Sequence, residues 1–158
     1  MIRMVRVTRP GTSMLGGKSM KYDYLPECWS KLISSHVEWV NGWIVPGKEG
    51  HFVSVEGKLK LIQKIVDIGE IGKDETIKLQ CLGTYLGVAI CDYTGWKFEI
   101  IKDEYGEDYC IKLPVKEVRI FPMTMISKRV EKGEEVNVFE LFTKIIPMAK
   151  DIDAKGSA

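Results

Sequence analysis

The chain has no large excess of charge of either sign. It carries 23 lysine and arginine residues against 22 aspartate and glutamate residues, a formal net charge of +1. A balanced chain creates no overall field that would attract a polyanion or an anionic bilayer. Composition therefore gives no support to nucleic-acid binding, and we expect no nucleic-acid partner.

Residues that commonly hold metals or cofactors are also scarce. The chain has two histidines and four widely separated cysteines, namely Cys28, Cys81, Cys91 and Cys110. They lack the paired close spacing of zinc or redox sites, so we expect neither a metal nor a cofactor. Free buried thiols in a reducing compartment explain the set better, which makes the cytoplasm the expected location.

Long apolar runs are missing from the sequence. No uninterrupted apolar stretch approaches the roughly 20 residues that are needed to span a bilayer. Near the amino terminus, Arg3, Arg6 and Arg9 interrupt the apolar positions, so this segment lacks the continuous apolar core of a secretory signal. We expect no contact with a membrane.

The length of 158 residues matches one domain with one core. Regular patterning begins only after Met20, and we expect a single domain over residues 20–150 followed by a frayed tail at 151–158. Residues 1–19 show no helical periodicity, so they are predicted to form a mobile arm. An upstream start codon, with Met20 as the natural beginning, is an open alternative.

Apolar spacing of three and four residues predicts five helices. The third is the longest, with Asp74 as its expected N-cap and Gly95 after its end, and it is expected to be the central core helix. Pro147 is expected to kink or end the last one. The other four are predicted at residues 26–45, 55–68, 124–132 and 138–150.

Strand-like segments follow the third helix. Residues 96–101 and 109–113 flank the turn Asp103-Glu104-Tyr105-Gly106, which predicts a β-hairpin. A third strand at residues 118–121 stops at Pro122. The predicted fold class is therefore α+β, with a small three-stranded antiparallel sheet, a hairpin plus a third strand, packed with about five helices.

Small side chains form one row on the predicted central helix. Gly83, Gly87 and Cys91 lie four residues apart and therefore share a helix face. Such a row lets another element approach the helix backbone closely. We interpret it as a packing feature and not as a ligand site.

Signatures of catalysis are not established by the sequence. Gly16-Gly17-Lys18-Ser19 resembles part of a phosphate-binding loop, but Thr12 stands where that loop needs glycine and no helix follows directly. His36 and His51 are far apart, and neither has a recognisable nucleophile beside it. We favour a protein that is not an enzyme and leave a cryptic enzyme open.

Two charged pairs are the candidate interaction or anion site. Asp103 and Glu104 lie at the hairpin turn, and Lys128 and Arg129 fall near the start of the short fourth helix. If these side chains converge at one end of the sheet, the cations can hold a carboxylate or a phosphate. A solvated turn and structural ion pairs explain the same residues and are the simpler interpretations.

Trp39 and Trp43 are spaced four residues apart on the first predicted helix. Aromatic pairs of this kind can add a rim to a protein-binding face. Core packing is the expected use of most of the four tryptophans.

The sequence resembles a bacterial family of small domains of unknown function in an ordered set of segments. The family pattern is L-G-x-x-L-G, then W, then D-E-Y-G, then F-P-x-[ST]-M-I-x-K-R. Here it corresponds to Leu82–Gly87, Trp96, Asp103–Gly106 and Phe121–Arg129. The resemblance covers about residues 76–142 and implies a bacterial origin and the order helix, hairpin, strand and helix. It implies no activity and no catalytic residues.

Three functions remain open from the sequence. The leading hypothesis is a non-enzymatic domain that binds a protein, for example an immunity or accessory protein that masks a toxin or effector. The alternative is a small-ligand or anion-binding domain, or a cryptic enzyme, using Asp103, Glu104, Lys128 and Arg129. A third hypothesis is a subunit with a purely structural role in an oligomer. The partner's identity and the oligomeric state are not predicted.

Overall fold

The computed structural model describes residues 20–114 and 118–156 of the chain. The predicted amino-terminal arm, residues 1–19, lies outside the described residues. Five helices and three strands are present within this part, as helices α1 Glu27–Asn41, α2 Val55–Ile68, α3 Thr76–Thr94, α4 Met125–Glu131 and α5 Val138–Gly156, and strands β1 Lys97–Asp103, β2 Gly106–Lys112 and β3 Arg119–Ile120. The α+β fold class with five helices is confirmed.

Helix α3 is the centre of the core. Every residue from Leu79 to Ile90 is buried, so the helix has no solvent-facing stripe over three turns. Helices α1, α2, α4 and α5 all contact it, as does the short 3₁₀ turn Pro122–Thr124. The predicted role of this helix is confirmed, although its N-cap is Glu75 and not Asp74.

The small-residue row on α3 receives the turn Pro122–Thr124. A Cβ atom added to Gly83 would lie 2.5 Å from the carbonyl oxygen of Met123, and one added to Gly87 would lie 2.7 Å from Cγ of Pro122. No ordinary side chain fits at these separations. The predicted close approach at this row is therefore confirmed for both glycines.

The sheet is antiparallel with the order β1-β2-β3. Asp103 pairs with Gly106, which leaves Glu104 and Tyr105 as the two-residue loop of the hairpin. Gly106 has a φ of +117°, a conformation that suits glycine in such a turn. The predicted hairpin is confirmed, and its strands extend nearer to the turn than the sequence indicated.

Helix α1 ends at Asn41, with Gly42 as its C-cap, and not at residue 45 as predicted. The apolar spacing continues because Trp43 and Ile44, which follow the helix, still pack against the core. These two residues keep the apolar spacing of a helix although they are not helical, and for this reason the predicted helix was too long.

Helix α5 continues through Pro147 to Gly156, well past the predicted end at residue 150. Proline removes one backbone N–H donor, but Ile146 and Ala149 are both buried and hold the helix on the core on either side of it. Residues 151–156 of the predicted frayed tail are helical.

Candidate functional site

The acidic residues of the hairpin, Asp103 and Glu104, lie at the turn, and Asp103 stabilises it. The backbone N–H of Tyr105 donates to Oδ1 of Asp103 at 2.8 Å, and Glu104 is exposed. Nearby, Nε1 of Trp29 donates to the carboxylate of Glu107 at 3.2 Å. Burial is the main cause that raises the pKa of Asp108, and the charge of Asp103 adds to it.

Lys128 and Arg129 lie in the last turn of α4 and not near its start, as the sequence suggested. The helix was predicted at residues 124–132 but spans only the seven residues Met125–Glu131, and this places both cations in its last turn. Nη1 of Arg129 donates to the carbonyl oxygen of Met125 at 2.9 Å. Across residues 20–114 and 118–156, no ion pair or hydrogen bond joins these cations to Asp103 or Glu104.

An apolar groove, here called the α1–α2 groove, lies between the segment after α1 and helix α2. It encloses about 470 Å³. One wall comes from the connecting segment, with Trp43, Ile44, Val45, Lys48, His51 and Phe52. The other comes from α2, with Leu61, Lys64, Ile65 and Ile68.

Local interactions hold the first wall against the second. The N–H of Gly47 donates to both carboxylate oxygens of Glu49, at 3.0 and 2.9 Å, where the chain turns at a φ of +91°. The 3₁₀ turn Glu49–Phe52 follows and packs on α2 at Gly57, where an added Cβ would lie 2.5 Å from the carbonyl oxygen of His51. This close approach places Phe52 beside α2.

The charge of the groove is of one sign. Its lining contains Lys48, Lys64 and His51 and no acidic residue. Within the described part of the chain, neither lysine takes part in an ion pair. The groove therefore combines an apolar floor with a basic rim.

A larger cavity of about 610 Å³ lies between α2, α3 and the segment before α5. Its central amide, Gln63, is fully engaged: Nε2 donates to Asp67 and to the carbonyl oxygen of Val136, and Oε1 accepts from the N–H of Val138 at 2.7 Å. Gln63 thus fixes the start of α5 on α2. We assign this amide a structural role.

A smaller cleft of about 240 Å³ is lined by Lys21, Tyr24, Asp92 and neighbouring residues. The carboxylate of Asp92 forms ion pairs with Lys21 and Lys58, each at 3.1 Å. The hydroxyl of Tyr24 accepts from the N–H of Phe98 at 3.1 Å. The charges of Asp92 and its partners are therefore satisfied within the protein.

A buried polar cluster joins α1, α3 and β2. Nδ1 of His36 lies 2.7 Å from Oγ1 of Thr84, which also contacts the hydroxyl of Tyr109 and donates to the carbonyl oxygen of Gln80 at 3.1 Å. Threonine has a single hydroxyl proton, so His36 and Tyr109 must both donate to Thr84. His36 therefore carries a proton on Nδ1, and its buried Nε2 has no hydrogen-bond partner among the described residues.

Burial sets the protonation of this cluster. It lowers the pKa of His36 to about 4, and burial is the main cause that raises the pKa of Tyr109 well above its ordinary value. Both side chains are fully buried, so neither can contact a substrate in solvent. The cluster stabilises the contact between the helices and the sheet.

The cysteines are free thiols, as expected, but Cys28 is exposed and Cys91 only half-buried. Burial raises the pKa of Cys81 and of Cys91 to about 12, and that of Cys110 to about 11. These three thiols are poor nucleophiles at neutral pH because the thiolate form is rare. Among the described residues, no group of three or more His, Cys, Asp or Glu side chains is placed to bind a metal ion.

None of the described helices is both long and apolar enough to cross a bilayer.

The described elements thus define an α+β domain built around helix α3, which is buried from Leu79 to Ile90. The chain belongs to the family described as a domain of unknown function, DUF3806, whose model matches residues 58–142. The membership confirms the expected likeness to a family of unknown function. No match was found among curated proteins.

One solved structure is similar in fold. It is a crystal structure of a protein from Bacteroides thetaiotaomicron VPI-5482, with a TM-score of 0.63 and 22% sequence identity. The match covers 72% of this chain and 42% of that chain, so the likeness spans less than half of the other protein. At this identity it shows the fold alone.

The groove lies only partly inside the family match. Its α2 wall falls within residues 58–142, whereas the wall from Trp43 to Phe52 precedes that region. Sequence reasoning missed the groove because its two walls come from separate segments. The available signal was the spacing of Trp39 and Trp43, whose rings pack edge to face at 5.9 Å.

Proposed function

We propose that this protein is a non-enzymatic domain that binds another protein through the α1–α2 groove. The observation that carries the proposal is an apolar groove that remains open to solvent. Val45 is 64% exposed and Ile68 is 49% exposed, although both line the groove. Exposed apolar side chains around a concave surface are typical of protein-binding sites.

The extent of the apolar surface favours a polypeptide over a small molecule. Val53, directly after Phe52, is 69% exposed, so apolar surface continues beyond the groove itself. Trp43 and Phe52 supply aromatic groups of the kind that anchor interfaces. A partner segment can cover both the groove and its surroundings.

The groove is held in shape before any partner binds. Ser54 caps α2 by accepting from the N–H of Gly57 at 3.0 Å, and the turn Glu49–Phe52 packs closely on the same glycine. A surface that is already ordered loses less conformational entropy on binding. This preorganisation supports a binding role for the wall that precedes the family region.

The titratable groups also support binding over catalysis. The neutral His36 is sealed in the core, and the three thiols with raised pKa values are weak nucleophiles. An immunity or accessory protein that masks an effector would act through a surface of this kind.

The test is affinity capture from the cell that makes the protein, with three baits. They are the unchanged protein, Ile68→Asp in the groove, and Lys128→Ala/Arg129→Ala on α4 as the matched surface control. The proposal expects one dominant protein that binds the unchanged bait and the α4 variant but not Ile68→Asp. Ile68 is half-exposed, so its substitution should leave the fold intact, which circular dichroism checks.

Two results would contradict the proposal. Capture of the same proteins by Ile68→Asp and by the unchanged protein would remove the groove as the docking surface. Loss of the partner only in the Lys128→Ala/Arg129→Ala bait would move the interface to α4 and restore the candidate site expected from the sequence.

A further inference from the structure

We propose that the partner segment received by the α1–α2 groove is acidic, with apolar anchor residues flanked by carboxylates. This inference rests on the proposed function and adds the chemistry of the partner. Lys48 and His51 stand on one wall and Lys64 on the other, so basic groups flank the apolar floor from both sides.

Lys48 and Lys64 form no ion pair with the nearest acidic residue, and the structure shows why. Lys64 has an acidic neighbour three residues on, Asp67, but the Oδ1 atom of Asp67 accepts from Nε2 of Gln63 at 2.9 Å. Lys48 is followed by Glu49, whose two carboxylate oxygens bind the N–H of Gly47. In both places the nearby carboxylate is hydrogen-bonded to another group and not to the lysine.

Other lysines on α2 differ in this respect. Lys60 pairs with Glu56 at 3.4 Å, and Lys58 pairs with Asp92 at 3.1 Å. Lys64 lies on the same helix and has no such partner within the described part of the chain. The unpaired charge is thus local to the groove and is not a general property of this helix.

Docking of a partner changes the environment of these cations. An apolar segment that covers Lys48 and Lys64 removes water from their ammonium groups, which is unfavourable unless a carboxylate replaces it. A partner with acidic residues beside its apolar anchors restores that interaction and also gains charge-assisted hydrogen bonds. The groove therefore discriminates in favour of acidic segments.

The sharpest test uses a random-sequence peptide library displayed on phage, selected against three immobilised forms of the full chain. They are the unchanged protein, the charge reversal Lys48→Glu/Lys64→Glu, and Ile68→Asp. The unchanged protein should enrich peptides that combine apolar and acidic residues. The charge reversal should lose that acidic bias, and Ile68→Asp should enrich none of these peptides.

A synthetic peptide from the enriched set then gives the size of the effect. Its dissociation constant should rise about tenfold or more for Lys48→Glu/Lys64→Glu, and the affinity for the unchanged protein should fall as salt is added. All three altered positions are exposed, so the variants should keep their fold, which circular dichroism verifies.

The outcomes separate the two claims. Enriched peptides that depend on Ile68 but show no acidic bias would overturn this inference and leave the proposed function standing. If no enriched peptide depends on Ile68, both the acidic preference of the groove and its role in protein binding are wrong. Dodecanoate, a small amphiphilic acid, is tested for binding to the same three proteins. If it binds the groove and no peptide does, both this inference and the proposed function are wrong.

Discussion

Gly83 and Met123 meet so closely that a Cβ atom on the glycine would lie 2.5 Å from the methionine carbonyl oxygen. The two residues belong to segments that carry the resemblance noted in the sequence, Leu82–Gly87 and Phe121–Arg129. Their relationship is one of packing between α3 and the turn Pro122–Thr124. These segments therefore build the core, whereas the proposed docking surface lies elsewhere.

Gly83→Ala should destabilise the fold. The methyl group meets backbone atoms that cannot move as a flexible side chain can, and overpacking of this kind costs about 1–3 kcal/mol. Alanine's better helix propensity offsets about 1 kcal/mol of that cost. Chemical denaturation measures the change in the free energy of unfolding.

Gly50→Ala is the matched control because a Cβ at Gly50 has no atom within 4 Å. It should change the free energy of unfolding by much less than Gly83→Ala. Equal stability of the two variants would show that the close approach at Gly83 is not a constraint.

His36 should make the protein less stable as the pH falls from about 6.5 to about 4. The pKa of His36 is lowered to about 4 in the folded protein, whereas the unfolded chain takes up the proton near 6.5. Protonation therefore favours the unfolded state throughout this window, by up to about 3 kcal/mol. The measurement is denaturant unfolding across the pH range.

His36→Asn removes this titration and should flatten the pH dependence. Exposed His51, changed to Asn, is the matched control and should retain the slope of the unchanged protein. If both variants keep the same slope, the buried neutral histidine is not its source.

Thr84→Val should destabilise the protein more than Tyr109→Phe. Valine leaves the donors of both His36 and Tyr109 without their acceptor, and each unsatisfied buried group costs about 1–3 kcal/mol. Tyr109→Phe removes one hydroxyl and leaves Thr84 bonded to His36 and Gln80. The measurement is the free energy of unfolding of the two variants under the same conditions. The reverse order would contradict donation from both His36 and Tyr109 to Thr84.

Thiol reagents should find one fast-reacting cysteine in the native protein. Cys28 is exposed, whereas Cys81 and Cys110 are buried and Cys91 is half-buried with its pKa raised to about 12. Cys28→Ser should abolish the fast phase, and unfolding should release all the remaining thiols. A fast phase that survives Cys28→Ser would show that one of the other three thiols is more reactive than its burial and raised pKa predict.

Much of the fold follows from local signals in the sequence. Helix α2 was predicted at its observed bounds because Ser54 caps it and Gly69, with a φ of +74°, ends it. The end of α1 was missed because Trp43 and Ile44 keep the apolar spacing after the helix stops. The end of α5 was missed because buried side chains outweigh the effect of Pro147.

The candidate site was less accessible to sequence reasoning. Lys48 and Lys64 look like ordinary surface lysines, and their shared groove requires the turn at Gly47 and the close approach at Gly57. That approach depends on tertiary packing, which no residue spacing reveals. Trp43, by contrast, was singled out by its spacing from Trp39 and does line the groove.

Site-specific photo-crosslinking inside the producing cell tests the central claim most directly. A photo-reactive amino acid is placed at Val45 in the groove or at Tyr105, which is 90% exposed at the hairpin tip. We expect a defined adduct with one protein from Val45 and none from Tyr105. An adduct from Tyr105 alone, or from neither position, would contradict a protein-binding role for the α1–α2 groove.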